Sequence, residues 1–291
     1  MNTKSKKSHP KFGVIDTGGG LRGIYGAGVL DYCMDNDLQF DLCCGVSAGA
    51  ANLISYQAGQ SRRNLMFYLA YAFRKEYMSM DNFLKSGSYL NLDYIYGTLT
   101  NAGGENPLDF SAVCRNPSVL TIVSTNAETG RARYFDKSEM ETNHYDILKA
   151  TCAIPVVCRP QVIDGNRYFD GALSDPVPIR YALDSGCDKV VLILTKPQHH
   201  LKPSKADKRL SLLIRNRYPE AAKDLKLRAV RYAQGVKYVQ QLEQEGRALI
   251  VSPESIEGMS TLTKDRKALM DLYLNGYKGG ERIRTFLEQA S

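Results

Sequence analysis

Short apolar runs alternate along this chain with stretches whose apolar residues recur every three or four positions. "KFGVIDTGGG" holds a strand-like run from Phe12 to Asp16 that empties into glycines. "LRGIYGAGVLDYCMDND" then carries Ile24, Ala27, Val29, Leu30 and Cys33 at helical spacing. "LQFDLCC" predicts a second strand and "SAGAANLISYQAG" a helix stopped at Gly59. Strand, helix, strand, helix opens an α/β fold with parallel pairing. Further on, "SVLTIVSTNAETGRARYFD" predicts a hairpin around Glu128–Gly130, and "YDILKATCAIP" a helix ended by Pro155. "QVIDGNRYFDGA" predicts a second hairpin turning at Asp164–Asn166, with Asp170 just past its second strand. "DKVVLILT" (188–195) has the unbroken apolar run of a central strand.

Two regions depart from this rhythm. Residues 61–110 are less regular: the apolar "LMFYLAYAF" (65–73) and the Tyr- and Met-bearing stretch from Tyr77 to Tyr96 read as an insertion or cap. After "KPQHHLKP", Ala222, Leu225, Ala229, Val230, Ala233, Val236, Val239 and Leu242 keep a three-four spacing, which predicts a long amphipathic helix. The last residues also read as helical. The expected organisation is a flexible basic tail over 1–10, an α/β domain over 11–195, and a helical extension over 196–291 packed on it.

Composition narrows the class. With 291 residues, 43% hydrophobic and 24% charged, the chain can bury a sizeable core in water. No run approaches the roughly 18 apolar residues of a membrane span, and the basic start has no apolar segment behind it, so a cytoplasmic protein is expected. The seven cysteines lack any C-x-x-C pair and most sit among apolar neighbours, so they read as small core residues in a reducing compartment and not as metal ligands. The net charge of +7 is uneven: residues 202–237 hold eleven Lys and Arg against three acids. That block is either the solvated face of helices or a contact for anionic lipid at the inner face of the membrane. Nucleic acid is not expected as a partner, and oligomeric state is left open.

The chemistry gathers at "GVSAG" (45–49), where Ser47 follows a strand and opens a helix. That is the setting of a nucleophile elbow, a strained turn that presents a serine hydroxyl. Gly45 and Gly49 remove bulk that would collide with the adjoining elements. By itself the pattern is equally a plain tight turn. "TGGGLRG" (17–23) supplies backbone N–H groups close to one another, as an oxyanion hole requires. Gly18, Gly20 and Gly23 also satisfy G-x-G-x-x-G, but a dinucleotide site wants an acidic residue at the end of the second strand. Here that strand runs into Cys43, Cys44 and Gly45.

A nucleophilic serine needs a base. The order Ser47, Asp170, His199 would suit an α/β-hydrolase triad, yet His199 and His200 read better as exposed loop residues. Asp170, followed by the small Gly171 and Ala172, is the other candidate. Taken alone it reads as a turn.

In order, "GGGLRG" (18–23), "GVSAG" (45–49) and "DGA" (170–172) resemble the patatin-like phospholipases, with "ATCAIPVVCRP" similar to the small-residue segment ahead of the aspartate. The third motif ends in Ala where Gly is commoner. The likeness covers about residues 11–195 and extends more softly to bacterial members with a helical C-terminal extension. It implies a three-layer α/β/α fold and hydrolysis of lipid acyl esters, phospholipase A or lysophospholipase in type, without metal or cofactor. By the resemblance Ser47 is the nucleophile and Asp170 the proton acceptor of a dyad. Gly18, Gly19, Gly20, Arg22 and Gly23 form the oxyanion loop, Gly45 and Gly49 the elbow, and Gly171 and Ala172 the turn of the dyad. Two further readings stand beside it, an acyltransferase or esterase acting on small soluble esters, and a non-catalytic interaction module on the same fold.

Overall fold

The structure is a computed structural model and describes residues 10–200 and 205–289. The tail expected at 1–10 lies, except for Pro10, outside the described residues, as does Lys202 at the start of the basic block. One mixed sheet organises the rest. Its strands are β1 (Phe12–Asp16), β2 (Leu42–Val46), β3 (Val119–Asn126), β4 (Ala132–Asp136), β5 (Gln161–Ile163), β6 (Asn166–Asp170), β7 (Lys189–Ile193) and β8 (Ala248–Val251). β3, β2, β1, β7 and β8 run parallel in that order, and β4, β5 and β6 join antiparallel.

The register around β3 decides where the chemistry falls. β2 pairs with residues 119–123 and β4 with 121–125, so the two occupy opposite edges of β3. β6 pairs with 124–126, overlapping β4, and therefore takes the β2 edge beyond the place where β2 ends. β2 finishes with Val46 opposite Val123, and β6 finishes with Asp170 opposite Ser124. The two strands meet end to end. Asp170 is the last residue of β6 and not a residue past it.

Helices cover both faces: α1 (Ile24–Asp35), α2 (Ala48–Gln57), α3 (Arg63–Leu69), α4 (Met80–Ser86), α5 (Phe110–Arg115), α6 (Asp146–Thr151), α7 (Ile179–Asp184), α8 (Lys205–Ile214), α9 (Pro219–Gln244), α10 (Arg266–Gly279) and α11 (Glu281–Glu288). Alternate strand residues face opposite cores, as a pleated sheet demands. Val14, Cys43, Leu120 and Val191 pack with α1, α2, α10 and the 61–110 region. Ile15, Cys44, Val123 and Leu192 pack with α7 and α9. The result is three layers, α/β/α.

The C-terminal part carries the helices that the periodicity predicts and adds a strand that it does not. It contributes β8 to the sheet, α9 to one face and α10 to the other. β8 escapes sequence reading because four apolar residues between Arg247 and Ser252 are too few to show a period. It also makes β7 the neighbour of an edge strand. The basic block falls on α8 and α9, across the sheet from the 61–110 region, and part of it pairs internally, Arg228 with Asp207 and Arg231 with Asp224 at 2.6 Å each. Among the described residues no helix is long and apolar enough to cross a membrane.

α10 docks on α1 through glycines. A Cβ on Gly28 would lie 2.2 Å from the Tyr273 carbonyl oxygen, and one on Gly276 would lie 2.1 Å from that of Tyr25. Either added methyl must push the helices apart. Gly28→Ala and Gly276→Ala are each expected to destabilise the protein by about 1–3 kcal/mol in urea unfolding, whereas Gly97→Ala, whose methyl meets open space, changes it little.

Candidate active site

Ser47 stands between β2 and α2 with φ 55° and ψ −132°, a backbone conformation that costs about 1–3 kcal/mol in a residue other than glycine. The surroundings enforce it. A Cβ on Gly45 would come within 2.4 Å of the Ala50 Cα, and one on Gly49 within 2.2 Å of the Asp16 carbonyl oxygen. The Ser47 amide donates to Thr151 Oγ1 at 2.9 Å, and the Thr151 hydroxyl donates to the Val123 carbonyl at 2.5 Å. That carbonyl lies where β2 stops pairing and β6 has not begun. Gly171 lies against it too, since a Cβ there would sit 2.1 Å from the same oxygen. Three glycines and a threonine thus pack the elbow against its neighbours and the end of β6.

Asp170 is buried, and burial is the main cause that raises its carboxyl pKa above the ordinary range. The Ala172 amide, donating to Asp170 Oδ1 at 2.8 Å, and the neighbouring Ser47 hydroxyl pull the other way. Arg228 adds a weaker attraction. The structure therefore brings Ser47 and Asp170 together, with the carboxyl pKa shifted upward by burial.

The glycine loop covers the elbow from the end of β1. Gly18 has φ +63° and lies on the N-terminus of α2, where a Cβ would be 2.8–2.9 Å from the amides of Gly49 and Ala48. Its own N–H donates to Asp16 Oδ1 at 2.9 Å. The amides of Gly19 and Gly20 have no acceptor among the described residues. Of the loop glycines, these two keep the donors that an oxyanion needs. Gly23 serves packing: its carbonyl accepts from Asn52 Nδ2 at 2.8 Å, and a Cβ there would fall 2.4 Å from the Tyr68 hydroxyl. The Arg22 side chain turns away from the serine, into a second cavity that Ala172 also lines.

Sequence reasoning missed four residues. Asp16 is fully buried, its pKa raised to about 6 chiefly by burial, and it accepts from Gly18 and from Asn52 Nδ2. Asn52 in turn accepts from the Tyr68 hydroxyl at 3.3 Å, which links the loop to α3. A lone Asn in the apolar stretch "AANLIS" was the available signal for Asn52. Thr151 and Tyr68 carried none.

A narrow cavity of about 50 Å³ opens over Ser47, lined by Leu21, Tyr68, Tyr77, Leu92 and Tyr96. The 61–110 region does form a cap, and the half-buried Arg63 fastens it by donating to the Asn106 carbonyl and to Thr100 Oγ1. Among the described residues no histidine lines this cavity or the second one, and His144, His199 and His200 are exposed.

With these elements in place, comparison with known proteins is informative. Residues 17–183, which hold the loop, the elbow and Asp170, match the model of a family described as patatin-like phospholipase. The chain belongs to the patatin-like phospholipase family. Members of that family are generally lipid acyl hydrolases. Residues 218–289 of this patatin-like chain match a domain of unknown function (DUF6363). The uncharacterized protein YjjU of Escherichia coli (strain K12) is 30% identical over 195 residues, 64% of this chain and 52% of that protein. The chain thus spans about half the length of the curated relative it matches. VipD from Legionella pneumophila gives a looser likeness, with a TM-score of 0.46 and 13% identity over 99% of this chain and 72% of that one.

The Thr151 hydroxyl is the acceptor for the buried Ser47 amide, and a methyl cannot replace it. Thr151→Val is expected to destabilise the protein by about 1–3 kcal/mol in urea unfolding, as an orphaned buried N–H requires, while Thr151→Ser restores most of the loss.

Proposed function

We propose that the protein is a serine acyl hydrolase that cleaves fatty-acyl esters of phospholipids, lysophospholipids or related lipids through a Ser47–Asp170 dyad. The observation that carries this reading is the end-to-end meeting of β2 and β6, which sets a strained serine hydroxyl against a buried carboxylate. In the first step Asp170 takes the Ser47 proton as Oγ attacks the ester carbonyl. The amides of Gly19 and Gly20 stabilise the oxyanion, a contribution of several kcal/mol where water is excluded. As the tetrahedral intermediate collapses, Asp170 returns the proton to the departing alcohol, leaving an acyl group on Ser47. In the second step Asp170 draws a proton from water, the water oxygen attacks the acyl carbon, and the fatty acid leaves as Ser47 recovers its hydrogen.

The apolar lining of the cavity over Ser47 suits an acyl chain, but its volume does not suit a long one. A cavity of about 150 Å³ is what holds a benzene-sized guest, and here there is a third of that. Hydrolysis of long chains requires the cap to move outward. The same volume favours a second reading, an esterase or acyltransferase acting on short soluble esters with the cap as it stands.

Ser47→Ala and Asp170→Asn are each expected to lower ester hydrolysis by at least about 10³-fold with an unchanged melting profile. The pair His199→Ala with His200→Ala should keep near-normal rates, and a fluorophosphonate should label Ser47 alone. An active Asp170→Asn beside a dead histidine pair would replace the dyad with a triad.

The pH dependence follows from burial. Asp170 must be ionised to accept the proton, and its pKa stands above the ordinary carboxylate value. Activity should therefore fall on acidification at a pH above that of an exposed aspartate, and Asp16 beneath the glycine loop has its own pKa raised to about 6. A kcat/KM profile on a soluble ester checks this, and a flat profile down to pH 4 would contradict it.

A further inference from the structure

Two cavities flank the glycine loop. The first lies over Ser47. The second, about 180 Å³, is bounded by Gly18, Gly19 and Arg22 on the loop side and by Lys196, Arg228 and Tyr232 opposite. Lys196 follows β7, and Arg228 and Tyr232 belong to α9, so the C-terminal part of the chain builds half of this wall.

Its charges do not balance. Asp207 also lines the cavity, and its carboxylate is held by Arg228 at 2.6 Å. Among the described residues neither Arg22 nor Lys196 has an ion-pair partner. Arg22 Nε and the Tyr232 hydroxyl are buried without a hydrogen-bond partner. Lys196 Nζ stands 3.8 Å over the Tyr232 ring, and burial together with Arg22 and Arg228 drives its pKa down to about 8. Half-buried cations facing one another are unfavourable unless an anion joins them. Three cations against one carboxylate leave two positive charges, which matches a phosphate monoester or inorganic phosphate, at about −1.5 to −2 near neutral pH. Guanidinium groups also suit the tetrahedral oxygens of such a group.

We propose that this cavity is a phosphate-binding site, in which Arg22, Lys196, Arg228 and the Tyr232 hydroxyl hold a phosphate group. Taken with the hydrolase reading, on which this part rests, the phosphate is carried by the alcohol portion of the ester. The acyl chain lies on the Ser47 side of the loop, while Ala172, two residues from Asp170, opens the other side to the departing alcohol. Free phosphate is the other source of the same chemistry.

The test separates site from reaction. Inorganic phosphate titrated calorimetrically into the Ser47→Ala protein should bind once per chain. Lys196→Gln should weaken that binding at least tenfold, and Lys278→Gln, which removes the same charge from the exposed end of α10, should not. With the active protein, the kcat/KM ratio of an acylglycerol phosphate to the monoacylglycerol of the same chain should fall about tenfold in Lys196→Gln, and inorganic phosphate should compete with the phosphorylated ester. Binding without competition, and with the ratio unmoved, assigns the site to free phosphate. No phosphate binding by the intact protein, with the ratio unmoved, overturns the proposal. If neither ester is cleaved, the hydrolase reading fails and the calorimetric result alone decides the site.

Discussion

The carbonyl of Val123 is the point on which this molecule turns. β2 leaves β3 there and β6 joins one residue later, so one strand edge carries two strands head to head. A carbonyl freed by such a break must find a donor when buried, and Thr151 supplies it while also receiving the Ser47 amide. The strain at Ser47 is sustained by contacts that leave no alternative: Gly45 on α2, Gly49 on the end of β1 and Gly171 on the break itself. Any side chain at these three positions would have to separate elements that the sheet holds together.

The C-terminal part is integral to this arrangement. Its β8 extends the sheet, and its α10 meets α1 at backbone distance. The Thr261 carbonyl accepts from the Leu21 amide at 2.8 Å and lies so close to Gly20 that no Cβ fits between them. The loop that presents the Gly19 and Gly20 amides is thus clamped by a residue about 240 positions away. Arg228 of α9, bound to Asp207, adds a weak attraction to the Asp170 carboxyl. The region matching a domain of unknown function thus braces the glycine loop and lines the second cavity.

Two opposite environments share the glycine loop. On the Ser47 side the walls are aromatic and aliphatic, fastened by Arg63. On the other side they are cationic and short of partners. A molecule with an apolar tail and an anionic head would find matched surroundings on the two sides of the loop.

Much of this was legible in the residues. The strand runs at Phe12–Asp16 and 188–195, the two hairpins, and the long helix through Ala222 to Leu242 follow from periodicity, because side-chain spacing answers directly to backbone repeat. "GVSAG" and "GGGLRG" announce their turns because only glycine tolerates the approaches found there. What the sequence could not reveal depends on pairing between distant segments. Whether Asp170 closes an ordinary hairpin or abuts the elbow is a matter of register along β3, which no local pattern encodes. Arg22 sits in the loop motif, yet its side chain faces a cavity completed by Lys196 and Arg228. Asp16, Asn52 and Thr151 carry no signature, since a buried polar residue is explained only by the partners that folding brings to it. Local propensity and the need for small residues determined the elements and the turns. The meeting of serine with aspartate, and the two unlike cavities beside them, were decided by how the strands share one edge and how the last third of the chain closes over it.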